Sequence, residues 1–297
     1  MGHDRGMTVR WVAGRGPVAG KVLRDLAHVP SAVLTAFGSR SAGRAEAFAA
    51  AHAASAGHGQ VPTAHGSCRA LLGDPDVDVV YVATSHPHHR ALALAALAAG
   101  KAVLVEKSFT VTPAATREVV AAARAVGRFA MEAMWTRFCP AVIRLRELVA
   151  DGAIGEVCTV TADLGVRHPV DPASRSCHPE LGDGLLFHLG VYPVSFTQML
   201  LGAPEAVVAH GVVHESGADV EESVLLRYPG GRSALLFPSL RSPAPGRPGC
   251  LARGVDSGAA AISLPQPDRA APLRARPGDH RRPAHRRRLH PRAGRGH

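Results

Sequence analysis

Over its first 130 or so residues the chain alternates short apolar runs with helix-forming stretches, and few folds accommodate that rhythm. The strongest run is VDVVYVAT at 77–84, apolar and β-branched almost without interruption. A strand of this kind is covered on both faces, as in a parallel sheet flanked by helices. Weaker runs at 9–13, 32–37, 102–105 and 129–132 punctuate helical stretches at 17–27, 44–54, 90–99 and 113–126. Thr112 is placed to cap the last of these, with Pro113 in its first turn and Gly127 at its end. Gly100 closes the helix before it. Repeated β-α-β units with short connections predict a doubly wound parallel sheet of Rossmann type.

After residue 132 the grammar changes. Helices are predicted at 141–150 and 185–201, and strands at 157–164, 206–213, 220–228 and 232–240. Pro229-Gly230-Gly231 marks a hairpin between the last two. The expectation is an α+β domain with a mainly antiparallel sheet. From Pro243 the pattern dissolves into Pro, Arg, Gly, Ala and His. Such a segment buries too little apolar surface to offset its ordering entropy. The expected organisation is therefore a dinucleotide-binding domain at 7–131, an incomplete α+β domain at 132–242 and a disordered basic tail at 243–297. Met7 is a candidate start, because the first strand pattern begins just after it.

A formal charge of +10 invites a nucleic-acid partner. Its location argues otherwise. Residues 243–297 carry twelve Arg, no Lys and three Asp, which accounts for +9 and leaves the body nearly neutral. No nucleic-acid partner is expected. No apolar run reaches the roughly 18–20 residues that cross a bilayer, so no membrane partner is expected either. The N-terminus lacks a signal-peptide core. Cys68, Cys139, Cys158, Cys177 and Cys250 form no CxxC pair and read as reduced thiols. A cytoplasmic protein is expected.

The turn after the first strand reads Ala13-Gly14-Arg15-Gly16-Pro17-Val18-Ala19, a G-x-G-x-x-A pattern. Gly14 permits the tight turn, Gly16 lets a pyrophosphate approach the backbone, and Ala19 lets helix and strand pack closely. The following helix start adds amide donors and partial positive charge. At the end of the second strand stand Ser39 and Arg40, with no Asp or Glu to accept from a ribose 2′-hydroxyl. A hydroxyl and a planar guanidinium suit a 2′-phosphate instead, so NADP is preferred over NAD. Lys107 follows the 102–105 strand, at the edge where doubly wound sheets hold ligands. A lysine there could steady charge developing on a substrate oxygen.

Several motifs together make a specific resemblance: AGRGPVAGK, GSRS, DPDVDVVYVATSHPHH, AGKAVLVEKSF, MEAMWTRF, GAIGEV and LGVYP. From about Arg10 to Arg241 the chain resembles the glucose–fructose oxidoreductase, inositol dehydrogenase and rhizopine-catabolism (Gfo/Idh/MocA) family. Within it, the dimeric dihydrodiol and D-xylose dehydrogenases look most alike. The resemblance implies hydride transfer between NADP(H) and a hydroxyl or carbonyl of a small sugar, polyol or trans-dihydrodiol. It implies a catalytic lysine at Lys107 and an acid/base tyrosine at Tyr192, whose phenol the nearby ammonium is expected to acidify. It carries cofactor contacts to Gly14, Gly16, Ala19, Ser39, Arg40, Thr84, His89, Glu106 and Lys107. Trp135, Arg137 and Phe138 are implied to line the domain boundary near the substrate. A homodimer through the C-terminal sheet is implied as well.

Three positions depart from the family pattern. Ser108 stands where the E-K-P motif has proline, and a cis bond before a non-proline costs about 3–4 kcal/mol. A different local geometry, and a different aim for Lys107, is therefore expected. Ser85 replaces another common proline. His188 occupies the place of an aspartate four residues before Tyr192, on the same helical face. As an imidazole it can serve as a base near neutrality but supplies no permanent negative charge. Turnover reduced or shifted in pH relative to an aspartate is expected; the alternative is a buried helix histidine. His86, His88 and His89 lack companion carboxylates or thiols, and they read as the opening of a helix with no metal bound.

The tail's bias is what a shifted frame of GC-rich DNA encodes, so it reads as a frameshift product or as a genuine basic tail. Either way the C-terminal sheet is expected to be incomplete, with unpaired edges. The competing reading for the whole chain is thus an NADP-binding protein whose damaged second domain leaves it without turnover.

Overall fold

The computed structural model describes residues 17–26, 28–29, 31–53, 61–166, 184–242, 249–254 and 259–263. The first predicted strand, and Gly14 and Gly16 after it, lie outside the described residues.

In the N-terminal half helices and parallel strands alternate. They are α1 (Pro17–Leu26), β1 (Ala36–Gly38), α2 (Ala42–Ala51), β2 (Thr63–His65), α3 (Cys68–Leu72), β3 (Val79–Val82), α4 (His86–Ala98), β4 (Ala102–Glu106), α5 (Pro113–Ala125) and β5 (Ala130–Ala133). β1 pairs with β2, and β4 lies between β3 and β5, all in parallel. These are two separate sheets, and both faces of β3 are covered, as the unbroken VDVVYVAT run demands. Val80 and Val82 pack with Leu97, Val103, Val105 and Val119 on one side. Tyr81 packs with Ala19, Leu23 and Phe37 on the other. Thr112 caps α5, its hydroxyl accepting from Ala115 N at 3.1 Å. β2 and α3 escaped the sequence patterns because each is only 3–5 residues long.

A 3₁₀ turn (Trp135–Phe138) leads into α6 (Pro140–Ala150) and β6 (Val157–Gly165). A π-helical turn (Leu186–Gly190) then runs straight into α7 (Val191–Leu201). β7 (Ala206–Val213), β8 (Asp219–Arg227) and β9 (Ser233–Ser239) follow, with the expected turn at Pro229–Gly231. The sheet order is β11-β10-β6-β9-β8-β7. It is antiparallel except where β6 runs parallel to β9. One face carries Val160, Ala162, Leu226, Ala234 and Leu236 into a core with Val142, Leu145 and Phe196 of the helices. The opposite face leaves Val208 and Leu235 more than half exposed.

The expectation that order ends at residue 242 is corrected. Gly249–Gly254 forms β10, antiparallel to β6, and Ala259–Ser263 forms β11, antiparallel to β10. Their short apolar stretches, CLA and AAAI, sit within Arg, Pro and Gly and show no usable period. Ladder hydrogen bonds, not side-chain alternation, place them. β6 is consequently an interior strand. Residues 264–297 lie outside the described residues.

Candidate active site

The site grows from the carboxyl ends of β3 and β4. Ser85 precedes α4, so His86 and His89 occupy its first turn, where both are buried. His86 Nε2 donates to the Lys107 carbonyl at 3.0 Å. The ring nitrogens of His89 face the Phe109 carbonyl at 3.0 Å and the Thr84 carbonyl at 3.1 Å. These contacts fasten the turn after β4 to the turn after β3. The Lys107–Ser108 peptide is cis. Lys107 points at the turn that opens α7, and Ser108 Oγ donates to the Phe187 carbonyl at 2.8 Å.

Lys107 Nζ donates to the His188 carbonyl at 2.6 Å and lies 5.3 Å from the centre of the Tyr192 ring. Across the π-helical turn the Val191 N–H donates to Leu186 O, five residues back. The start of the turn is held from the other side, where Leu186 N donates to Asp219 Oδ2 at 2.6 Å. Gly184 sits so close to Asp219 that a Cβ there would run into its carboxylate.

The Tyr192 hydroxyl accepts from Trp135 Nε1 at 3.2 Å, the two rings meeting edge to face. Burial raises the Tyr192 phenol to about 12; the Trp135 hydrogen bond opposes this, and the Glu106 and Glu132 charges add to it. The expected acidification by a nearby ammonium is thus corrected. Lys107 lies over the ring with its ammonium hydrogen-bonded to His188, and desolvation dominates. At neutral pH the phenol carries its proton.

Beneath the lysine, Tyr81 donates to Glu106 Oε1. Burial raises the Glu106 carboxyl above its ordinary value, against the Tyr81 hydrogen bond and the Lys107 and His86 charges. Glu132, on β5, is likewise raised mainly by burial, opposed by Arg137 and Lys107. Sequence reasoning missed Tyr81 and Glu132. The usable signal was a hydroxyl and a carboxylate inside otherwise apolar strands, each of which needs a partner when buried.

The structure thus brings Lys107, Tyr192, Trp135 and Glu106 together. His188 joins them through its backbone carbonyl. Its side chain is exposed, which excludes the buried-histidine alternative. Arg137 faces α7, with Nε donating to Ser195 Oγ at 2.9 Å and Nη2 to Gln198 Oε1 at 2.7 Å. Phe138 is exposed. Ser39 and Arg40 follow β1, Thr84 follows β3, and Ala19 is fully buried in α1.

Known proteins share this fold. Residues 11–134 match the oxidoreductase family with an NAD-binding Rossmann fold, and residues 142–254 match the GFO/IDH/MocA C-terminal domain. A trans-1,2-dihydrobenzene-1,2-diol dehydrogenase from Xenopus laevis is 36% identical over 244 residues, covering 80% of this chain and 71% of that protein. The chain belongs to the GFO/IDH/MocA oxidoreductase family. Within that family, the mouse trans-1,2-dihydrobenzene-1,2-diol dehydrogenase is 42% identical over 230 residues, or 76% of this chain. The match spans 66% of the mouse protein, just under two thirds of its length. The crystal structure of an NAD-binding oxidoreductase from Klebsiella pneumoniae superposes with a TM-score of 0.73 at 27% identity, covering 86% of this chain and 73% of that one. The residues of this family member fit a pyridine dinucleotide. Its C-terminal strand edge presents hydroxyls, a guanidinium and an ammonium, and no carboxylate follows β1 at Ser39 and Arg40. Among the described residues no helix is long and apolar enough to cross a membrane.

Proposed function

We propose that this protein is an NADP(H)-linked dehydrogenase acting on a CH–OH group of a small sugar, polyol or trans-dihydrodiol. The observation that carries the reading is the Lys107 ammonium lying over the ring of Tyr192, whose phenol burial keeps protonated. When bound, the nicotinamide supplies or accepts the hydride. Lys107 donates to the substrate oxygen and steadies the negative charge that develops on it. Tyr192 gives that oxygen its proton in reduction and takes it back in oxidation. Trp135 fixes the direction of the phenol through its indole N–H. Gly14, Gly16 and Ala19 would admit the pyrophosphate, and Thr84, His89 and Glu106 would shape the nicotinamide side of the cleft. Residues 7–131 would hold the dinucleotide, with the chain from 132 onward forming the substrate side.

Ser39 and Arg40 support the phosphorylated cofactor, because an exposed guanidinium with no carboxylate beside it on the chain suits a 2′-phosphate. Fluorescence titration with NADPH and NADH should show tighter NADPH binding. Arg40→Ala should weaken NADPH by about tenfold or more while leaving NADH nearly unchanged. Absence of affinity for either nucleotide would sink the enzymatic reading. Substrate-dependent NADPH formation across a panel of sugars and diols separates a dehydrogenase from a protein that only binds NADP. The names of the relatives make trans-dihydrodiols the first substrates to try.

The open face of the C-terminal sheet supports a homodimer. Val208, Leu225 and Leu235 stand opposite one another on three adjacent strands, forming an apolar row that faces away from the helices. Sedimentation of the full chain should give the mass of a dimer, and Leu235→Glu should shift it toward the monomer. A monomeric parent protein removes this assignment.

A further inference from the structure

Tyr81 belongs to no part of the chemistry assigned so far, yet it occupies an unusual position. Its ring is 1% exposed and packs with Ala19, Leu23 and Phe37, in the core under the helix that would receive the dinucleotide. Its hydroxyl leaves that core and donates to Glu106 Oε1, across from β3 to β4. Glu106 is the residue before Lys107. Other groups facing the carboxyl are His86 from α4, Glu132 from β5 and Tyr192 from α7. Arg137, from the 3₁₀ turn, acts on Glu132.

We propose that Tyr81 is a positioning residue for the reaction, its phenol holding Glu106 as an oriented carboxylate beside the Lys107 ammonium. This rests on the proposed role of Lys107. A carboxylate in this half-dry site costs free energy unless donors satisfy it. Tyr81 is a donor that cannot compete as an acid, since burial and the Glu106 charge push its own ionisation far above the ordinary phenol range. Without it the carboxyl gains its proton at higher pH. The negative charge acting on the Lys107 ammonium is then lost at a higher pH than in the parent protein.

Tyr81→Phe in the full chain tests this, because the retained ring preserves the packing under α1. In cofactor-free protein, the infrared band of the protonated Glu106 carboxyl, assigned by its loss in Glu106→Gln, is followed against pH. The protonated form predominates below the midpoint, and Tyr81→Phe should move that midpoint up by about one pH unit, as expected when a buried carboxylate loses a donor. In turnover, the acid limb of kcat/KM should rise by the same amount, with KM for the dinucleotide unchanged. In the Glu106→Gln background the same substitution should cost less than about twofold, because the two residues act as a unit. An unmoved midpoint overturns the proposal. An equal cost in both backgrounds also overturns it, since the phenol would then act by packing alone. Failure of the parent protein to turn over any nicotinamide-linked substrate defeats the dehydrogenase reading instead, and the infrared midpoint then decides the role of Tyr81 by itself.

Discussion

Lys107→Ala should lower kcat/KM by about 100- to 1,000-fold, the loss typical when a single donor to a developing oxyanion is removed. Most of the loss should fall on kcat, because charge on the substrate oxygen is greatest in the transition state. Lys107→Arg should not restore it. A planar guanidinium cannot replace a compact ammonium that must reach the substrate oxygen while lying over the Tyr192 ring. The substitution also removes the hydrogen bond to the His188 carbonyl. At about 1 kcal/mol that loss should lower Tm by roughly 2–4 °C. Steady-state kinetics beside a melting curve separates the two effects. A variant that melts earlier but keeps more than a tenth of the activity would show that Lys107 joins elements of the fold and takes no part in the chemistry.

Tyr192→Phe should cost about 100- to 10,000-fold in carbonyl reduction, the range ascribed to a positioned general acid. The pH dependence of that loss distinguishes the phenol from other acids. Burial raises Tyr192 to about 12, so the acid form persists from pH 6 to 9. The ratio of parent to variant rates should therefore stay flat across that window. In oxidation the phenol must first give up its proton, so the parent rate should climb with pH through the same range. A ratio that collapsed near pH 7 would assign the proton to a group with an ordinary imidazole value, and His188 would become the candidate.

Much of the N-terminal half was legible in the sequence because β3 is covered on both faces. VDVVYVAT needed no turn chemistry to be recognised, and Thr112, Pro113 and Gly127 bounded α5 in the expected places. Lys107 and Tyr192 came from motif likeness, and the structure brings them together over 85 positions of chain. Their electrostatics were not legible. The ammonium was expected to acidify the phenol, but sequence says nothing of desolvation, and burial outweighs a charge committed elsewhere. Arg137 stands on the same 3₁₀ turn as Trp135, and its bonds to Ser195 and Gln198 of α7 could not be read from MWTRF. β10 and β11 were invisible for another reason. A strand recruited by the ladder of β6 needs no amphipathic alternation of its own, so an Arg- and Pro-rich context hides it.

Two neighbouring side chains at the end of β4 grip two neighbouring carbonyls ahead of the proposed acid, Lys107 at His188 and Ser108 at Phe187. The phenol four residues further along is therefore referenced to the strand that carries the lysine, and a displacement of either element carries the other with it.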